Sequence, residues 1–180
     1  NALLKTYFER CKETQKNSLD YTKKNTAPFI FALSQLARTM HFGEEKPRQQ
    51  MSKDDLLTHC DTILTTYRLG SFEPTFESLW GIDTKKSDKR VDAVMLLAEL
   101  KDIGLFYNLA SQDNQASLGF IHLTFQEYFA AHYIASQLMQ GNEQTKNEMY
   151  DLIKTEFSKS DNQLVAWFVS GLLRQLQANN

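Results

Sequence analysis

The residues best placed to do chemistry in this 180-residue chain lie between Phe120 and Leu138. This segment reads as a short extended stretch that continues directly into a helix. His122 lies in the extended stretch, where its neighbours Ile121 and Leu123 point to the opposite side. An imidazole donates one N–H when neutral and two when charged, so it can act as a hydrogen-bond donor. The pattern therefore predicts an imidazole held at a fixed corner between a strand and a helix.

The histidines also have an ordinary interpretation. A single His beside a hairpin, such as His122, is commonly a partly buried residue that hydrogen-bonds to nearby backbone. His132 falls on the apolar side of the following helix, which predicts a packed core residue. These two histidines have no nearby cysteine and no H-E-x-x-H pattern, and His41 and His59 have no partner spacing, so no metal site is predicted.

The helix after His122 has recognisable ends. Thr124 followed by Glu127 has the spacing of a capping box, in which each side chain bonds to a backbone amide of the first turn. Gly141 is expected to end the helix in the left-handed conformation. One aromatic-rich apolar face is predicted from helical spacing, and it consists of Phe125, Tyr128, Phe129, His132, Ala135 and Met139.

The string FIHLTFQEYFAA in this segment resembles the signature found late in the winged-helix domain of NACHT-type NTPases. These are signalling ATPases that include the NOD-like immune receptors. Upstream, LLAELKDIGLF resembles the helix and first wing strand that precede the signature, and downstream VAWFVSGLL resembles the opening of the next helical domain. The resemblance covers roughly residues 90 to 173, and the first ninety residues fit it by order and pattern only.

The resemblance implies a role for His122. The matching histidine of the family hydrogen-bonds to the terminal phosphate of bound ADP and thereby holds the closed, inactive form. The intact protein would bind ADP at rest, exchange it for ATP with magnesium, and oligomerise to activate a fused effector. The implied partners of this region are its own upstream NACHT ATPase domain and further copies of itself. No cofactor is expected for the isolated region.

The chain carries no motif of enzyme chemistry. It contains no G-x-x-x-x-G-K-[ST] phosphate loop, no G-x-G-x-x-G and no G-x-S-x-G. It also starts without an initiator Met, inside a helical pattern. We therefore expect a non-enzymatic fragment, with the phosphate loop of the parent ATPase located before residue 1.

Helical periodicity and capping residues predict four helices before the hairpin. The first covers residues 1–16 and is followed by a polar loop, 17–25. The second starts after Thr26, has Pro28 in its first turn and ends at Gly43. The third is capped by Ser52 with Asp55. An ordered loop over residues 69–87 separates it from the fourth, which is capped by Ser87 or Asp88 and ends at Gly104.

Two short apolar-aromatic runs, 105–110 and 119–123, predict a hairpin, and two further helices are expected at 145–157 and 164–177. The predicted fold is mainly α, with a winged-helix-like domain of three helices plus a β-hairpin wing, flanked by helical segments. The predicted domains are the helical end of a preceding domain (1–25), the winged-helix domain (26–124) and the start of a following helical domain (125–180).

Composition limits the class of protein. The formal net charge is -2, with 42% hydrophobic and 23% charged residues, an ordinary globular balance that does not favour a general nucleic-acid or anionic-membrane binder. Cys11 and Cys60 lack metal-like spacing and predict reduced thiols in a cytoplasmic protein. We see no secretory signal and no apolar run near the ~20 residues of a membrane span, so no membrane partner is expected.

Two alternatives come from other classes. A winged helix that reads DNA needs cations along an exposed helix. The predicted fourth helix has Lys89 and Arg90 only at its start, and the loop 111–117 contains Asp113 and no basic residue, which favours a nucleotide-facing or protein-facing domain. The other alternative is a stand-alone helical interaction module, which requires a native N-terminus close to Asn1.

Overall fold

The computed structural model describes residues 27–43, 47–70, 91–109 and 117–178. They form a mainly helical structure with a small three-stranded antiparallel sheet, which confirms the predicted mainly α class. The predicted first helix (1–16), the loop 17–25, most of the loop 69–87 and the centre of the loop 111–117 lie outside the described residues. No described helix is both long and apolar enough to span a membrane.

The chain forms two compact units. The first contains Asn1–Ala32 and Gln50–Ile121, and the second contains Leu33–Gln49 and His122–Asn180. Helix α1, Ala27–Phe42, therefore contributes residues to both units. The domains predicted from sequence (1–25, 26–124 and 125–180) remain predictions, and the two units differ from them in assigning residues 33–49 to the later part of the chain.

Helix α1 ends at Gly43 as predicted, whereas the predicted cap Thr26 lies outside the described residues. Pro28 lies in its first turn, where the missing amide hydrogen costs nothing because first-turn amides have no intrahelical acceptor. Gly43 follows the last helical residue, and its amide donates to the Thr39 carbonyl over 2.9 Å.

In the first unit, strand β1 (Gln50–Ser52) leads directly into helix α2 (Lys53–Leu69). The Ser52 hydroxyl accepts a 3.1 Å hydrogen bond from the Asp55 amide, which confirms the predicted cap. The buried face of α2 consists of Leu56, Cys60, Ile63, Leu64 and Tyr67. Strand β1 was not predicted, because three residues are too few to show an alternating pattern.

Helix α3 spans Ala93–Asp102 and starts later than predicted. Its cap is Asp92, whose carboxylate accepts from the Met95 amide over 2.8 Å, so the prediction of Ser87 or Asp88 is wrong. Val91 precedes the helix and is buried there, with its carbonyl accepting a 2.6 Å hydrogen bond from Arg68. At the other end Gly104 has φ 80°, which confirms the predicted left-handed terminus.

The predicted hairpin is formed by strand β2 (Phe106–Leu109) and strand β3 (Ser117–Phe120), which pair antiparallel. Phe106 lies opposite Phe120, with ring centroids 4.5 Å apart. Strand β1 pairs with the other edge of β3, so the sheet has the order β1-β3-β2.

The helices of the second unit after β3 are α4 (Leu123–Gln140), α5 (Glu143–Glu156) and α6 (Gln163–Ala178), with a 3₁₀ turn at Ser160–Asn162. Helix α4 packs against both α5 and α6. The two later helices confirm the prediction, although α5 begins earlier because Asn142 accepts from the Thr145 amide. Their common core consists of Ala131, Ile134, Ala135, Met149, Val165, Val169 and Leu172.

Two predictions about α4 are wrong, and a third is correct only in part. The helix begins at Leu123 with His122 as its cap, so Thr124 is already helical and Thr124 and Glu127 form no capping box. Gly141 has φ −67° and ψ 156°, which is extended and not left-handed. The buried face contains Phe129 and Ala135 as predicted, but its other members are Gln126, Glu127, Ala130, Ala131 and Ile134. Small alanines allow close helix packing, whereas Tyr128, His132 and Met139 are only partly buried.

Candidate functional site

The backbone fixes the position of His122 from both sides. The preceding Ile121 amide donates to the Leu105 carbonyl over 2.9 Å, which holds the end of the hairpin. His122 itself is extended, with φ −141° and ψ 139°, and is the N-cap of α4. Its carbonyl accepts from the Phe125 amide over 3.1 Å. His122 therefore lies in the chain between the hairpin strand β3 and helix α4, as predicted.

The imidazole of His122 is exposed. Its side chain makes no capping hydrogen bond to α4, and no hydrogen bond joins its ring to another part of the chain that the structure describes. The ring centroid of Phe125 lies 6.2 Å from that of His122, at an interplanar angle of 35°. The ordinary interpretation of a partly buried histidine bonded to backbone is therefore wrong, and both ring nitrogens can contact a ligand.

The electrostatics at the start of α4 suit an anion. The first turn contains no acidic side chain, and the amides of a helix N-terminus carry a partial positive charge. Glu127, the first carboxylate of the helix, is buried, and this burial raises its pKa. An imidazole donor beside a helix N-terminus can therefore bind a phosphate oxygen.

His132 is in a different environment. Its side chain is partly buried, and its Nδ1 lies 3.2 Å from the Ser34 hydroxyl and 3.4 Å from the Ser136 hydroxyl. Burial is the main cause that lowers the pKa of His132 to about 4. The ring is thus neutral at pH 7 and hydrogen-bonded within its own unit, which agrees with the predicted packed residue.

A second polar group, centred on His41, has no signal in the sequence. His41 Nε2 lies 2.9 Å from Asn162 Oδ1, and both residues are buried. The Asn162 amide nitrogen donates to the Glu156 carbonyl over 3.1 Å and to its carboxylate over 3.0 Å. Because Asn162 donates through its nitrogen, its oxygen must accept from His41, which places the proton of the neutral ring on Nε2. Lys159 in turn donates to Glu156 over 2.8 Å.

The His41 group is built for structure. His41 Nδ1 is buried and has no hydrogen-bond partner within the described ranges. Burial lowers the pKa of His41. The hydrogen bond to Asn162 and the negative charge of Glu156 raise the pKa, but their effect is smaller than that of burial. Only proximity in the fold could have identified this pair, because His41 and Asn162 are 121 residues apart in the chain.

The remaining candidate groups do not form a reactive centre. Cys60 is buried in α2, and burial raises its pKa to about 12, so the thiol is unreactive near neutral pH. Cys11 lies outside the described residues. Across residues 27–43, 47–70, 91–109 and 117–178, no three side chains of His, Cys, Asp or Glu are grouped to hold a metal ion.

These features leave the exposed His122, at the start of α4, as the candidate site. Comparison of the chain with protein-family models, with curated proteins and with solved structures finds no match.

Proposed function

We propose that this chain is the winged-helix region, with the start of the second helical domain, of a NACHT-type signalling ATPase located in the cytoplasm. Its role is regulatory and not enzymatic. The winged helix closes over ADP held in an upstream NACHT domain, and His122 donates a hydrogen bond to the terminal phosphate. Exchange of ADP for ATP with magnesium breaks this contact and permits oligomerisation.

The order of elements supports the winged-helix part of the proposal. Within the described residues, helices α1, α2 and α3 come before the β2–β3 hairpin, and this order is consistent with a winged helix. Strand β1 lies between α1 and α2 in the chain and adds a third strand to the hairpin. His122 follows the last residue of the proposed wing strand β3, Phe120, by two positions in the chain.

The single observation that carries the proposal is the free imidazole of His122. The side chain is exposed and bonds to none of the residues described around it, although its backbone is held by the hairpin and by α4. Because the backbone is already held, binding a ligand requires ordering of the side chain alone. The absence of acid in the first turn of α4 makes a phosphate the favoured ligand.

One hydrogen bond of this kind is strong enough to control a two-state protein. A hydrogen bond to a charged group contributes about 1.5–3 kcal/mol. Since about 1.4 kcal/mol changes an equilibrium tenfold, loss of the contact shifts the ratio of closed to open forms by roughly ten- to a hundredfold. This shift requires that the contact exists in only one of the two forms.

The residues of α3 do not favour the DNA-binding alternative. The helix carries one cation, Lys101, together with Glu99 and Asp102, and its N-cap is Asp92. A groove-reading helix needs an excess of Lys and Arg to offset the phosphates. For this reason we propose a nucleotide as the ligand and not duplex DNA.

The test is His122→Leu in the intact protein, with retained ADP and assembly state as the two measurements. The proposal predicts that the variant retains ADP roughly ten- to a hundredfold less and oligomerises without its trigger. His122→Gln keeps a side-chain donor at the same position and is expected to restore part of the ADP retention.

Thr124→Ala is the matched control. Thr124 is exposed in the same turn and caps nothing, so its replacement should leave both measurements unchanged. If His122→Leu retains ADP and assembles like Thr124→Ala, the proposed phosphate contact does not exist. A parent sequence with no phosphate loop before residue 1 would contradict the ATPase assignment itself.

A further inference from the structure

Helix α6 has one apolar face that packs in the second unit and another that faces solvent. Val165, Val169 and Leu172 are buried on the inner side. The opposite stripe, called here the Trp167 face, consists of Leu164, Trp167, Gly171, Arg174 and Ala178, all of them exposed. Helical spacing places these five residues in one narrow row along the helix. Trp167 is 78% exposed, which is unusual for the largest apolar side chain.

The chemistry of the Trp167 face is that of an interface. Arg174 is the single charged residue in the sixteen residues of α6. Solvent-facing helix surfaces normally carry several charges of both signs. Protein interfaces are instead depleted of charge and enriched in Trp and Arg, the residues that most often dominate binding energy.

We propose that a second copy of this chain docks on the Trp167 face, with the two α6 helices antiparallel about a twofold axis. We place the twofold axis at the level of Val169 along the helix. Trp167 and Gly171 are each two residues from Val169, so Trp167 of one copy lies opposite Gly171 of the other. A Cβ built on Gly171 meets no heavy atom within 4 Å, so an indole ring can approach the helix backbone at this glycine. Twofold symmetry forms this contact twice.

Charge complementarity favours the antiparallel orientation. The same register sets Arg174 opposite Leu164 of the other copy, and Asp161 lies about one helical turn before Leu164. The Arg174 guanidinium of one copy can then reach the Asp161 carboxylate of the other, while its aliphatic stem covers Leu164. Both side chains are exposed, and Arg174 has no ion-pair partner in the part of the chain that the structure describes. A parallel pairing would bring the two arginines together and is disfavoured.

The expected dimer is weak. A helix of sixteen residues is about 24 Å long, and one face of it buries less than the ~1,200–2,000 Å² of a stable complex. We therefore expect association at concentrations on the order of micromolar and above. The inference is independent of the proposed function, because it uses only α6 and its own residues. Its failure would leave the His122 proposal unchanged.

Sedimentation equilibrium of the 180-residue chain over a wide concentration range tests the dimer. The wild type is expected to show a monomer–dimer equilibrium, and Trp167→Ala should raise the dissociation constant at least about tenfold. Tyr150→Ala removes another exposed aromatic, on α5, and is the matched control with no expected effect. A chain that stays monomeric at all concentrations overturns the proposal, and the Trp167 face would then bind a different protein. A dimer whose dissociation constant is unchanged by Trp167→Ala also overturns it.

Charge reversal tests the antiparallel register. Asp161→Arg and Arg174→Asp should each weaken the dimer several-fold, because each places two like charges together. The variant with both changes restores opposite charges and should recover most of the affinity. Dimerisation that is insensitive to both single changes, or that the double change fails to recover, contradicts this register. Circular dichroism of each variant confirms that α6 remains folded.

Discussion

His41 and Asn162 join two distant parts of the chain through one buried hydrogen bond, 2.9 Å from Nε2 to Oδ1. His41 lies in the last turn of α1, and Asn162 ends the 3₁₀ turn between α5 and α6. Asn162 also donates to the backbone carbonyl and the carboxylate of Glu156. One amide side chain therefore satisfies groups from α1 and α5 at the same time.

We expect Asn162→Ala to lower the free energy of unfolding by about 1–3 kcal/mol. The substitution leaves the buried His41 N–H without its partner, and an unpaired buried polar group costs its full desolvation. The Glu156 carbonyl loses one of two donors and keeps the Lys159 amide. The measurement is the midpoint of urea unfolding at pH 7. Ser158→Ala is the control, because Ser158 is exposed and its hydroxyl bonds only weakly to Thr155 over 3.5 Å. Equal midpoints for the two variants would show that the network contributes little.

Acid is expected to destabilise the second unit through His132. Burial lowers the folded-state pKa of His132 to about 4, whereas an unfolded histidine titrates near 6.5. Between these values the unfolded state binds more protons, so stability rises with pH there. The contribution is present above about pH 6.5 and is lost as the pH falls towards about 4, by at most about 3 kcal/mol. The pKa of His41 is lowered as well, so protonation of His41 in acid also reduces the stability of the folded state.

Comparing His132→Leu with the wild type isolates this contribution from other acid-sensitive groups. The difference in stability at pH 8 measures packing and the contacts to the Ser34 and Ser136 hydroxyls without a protonation term, because the imidazole is neutral in both the folded and the unfolded state there. Between pH 6.5 and pH 4 the variant should lose less stability than the wild type. Parallel stability curves for the two proteins over this interval would contradict the assigned shift.

Local patterns predicted the parts of the fold that depend on neighbouring residues. Ser52 caps α2 as expected because its hydroxyl needs only the amide of Asp55, three residues away. Gly104 is left-handed as expected because the end of α3 requires positive φ at one residue. The hairpin was predicted for the same reason, since both of its strands show their own aromatic-apolar pattern.

The parts that sequence missed depend on distant residues. Strand β1 exists because Met51 pairs with Leu118 on β3, and nothing near Met51 indicates this partner. Asp92 and not Asp88 caps α3, and the preceding Val91 carbonyl is bound by Arg68 from α2. Helix α4 shows the same limit, because its tertiary contacts bury Glu127, which the sequence pattern assigned to a surface cap.

The candidate site was predicted in position but not in environment. The sequence indicates that His122 stands between a strand and a helix, and the structure adds that its ring is exposed and unbonded among the described residues. By contrast, the environment of His41 could not be predicted, because its partner Asn162 is 121 residues away and is supplied by tertiary packing.

Two glycines of the second unit are expected to respond in opposite ways to alanine. Gly141 is extended, and a Cβ there would lie 2.4 Å from the Gln137 carbonyl oxygen and 3.1 Å from Thr145, so Gly141→Ala should cost about 1–3 kcal/mol. Gly171 is helical with open space around it, so Gly171→Ala should add about 0.5–1 kcal/mol. Thermal unfolding at a concentration where the chain is monomeric measures both variants against the wild type. If Gly141→Ala is as stable as the wild type, the turn between α4 and α5 can shift to accept a methyl group. The short distance to the Gln137 carbonyl oxygen would then not be the reason for glycine at this position.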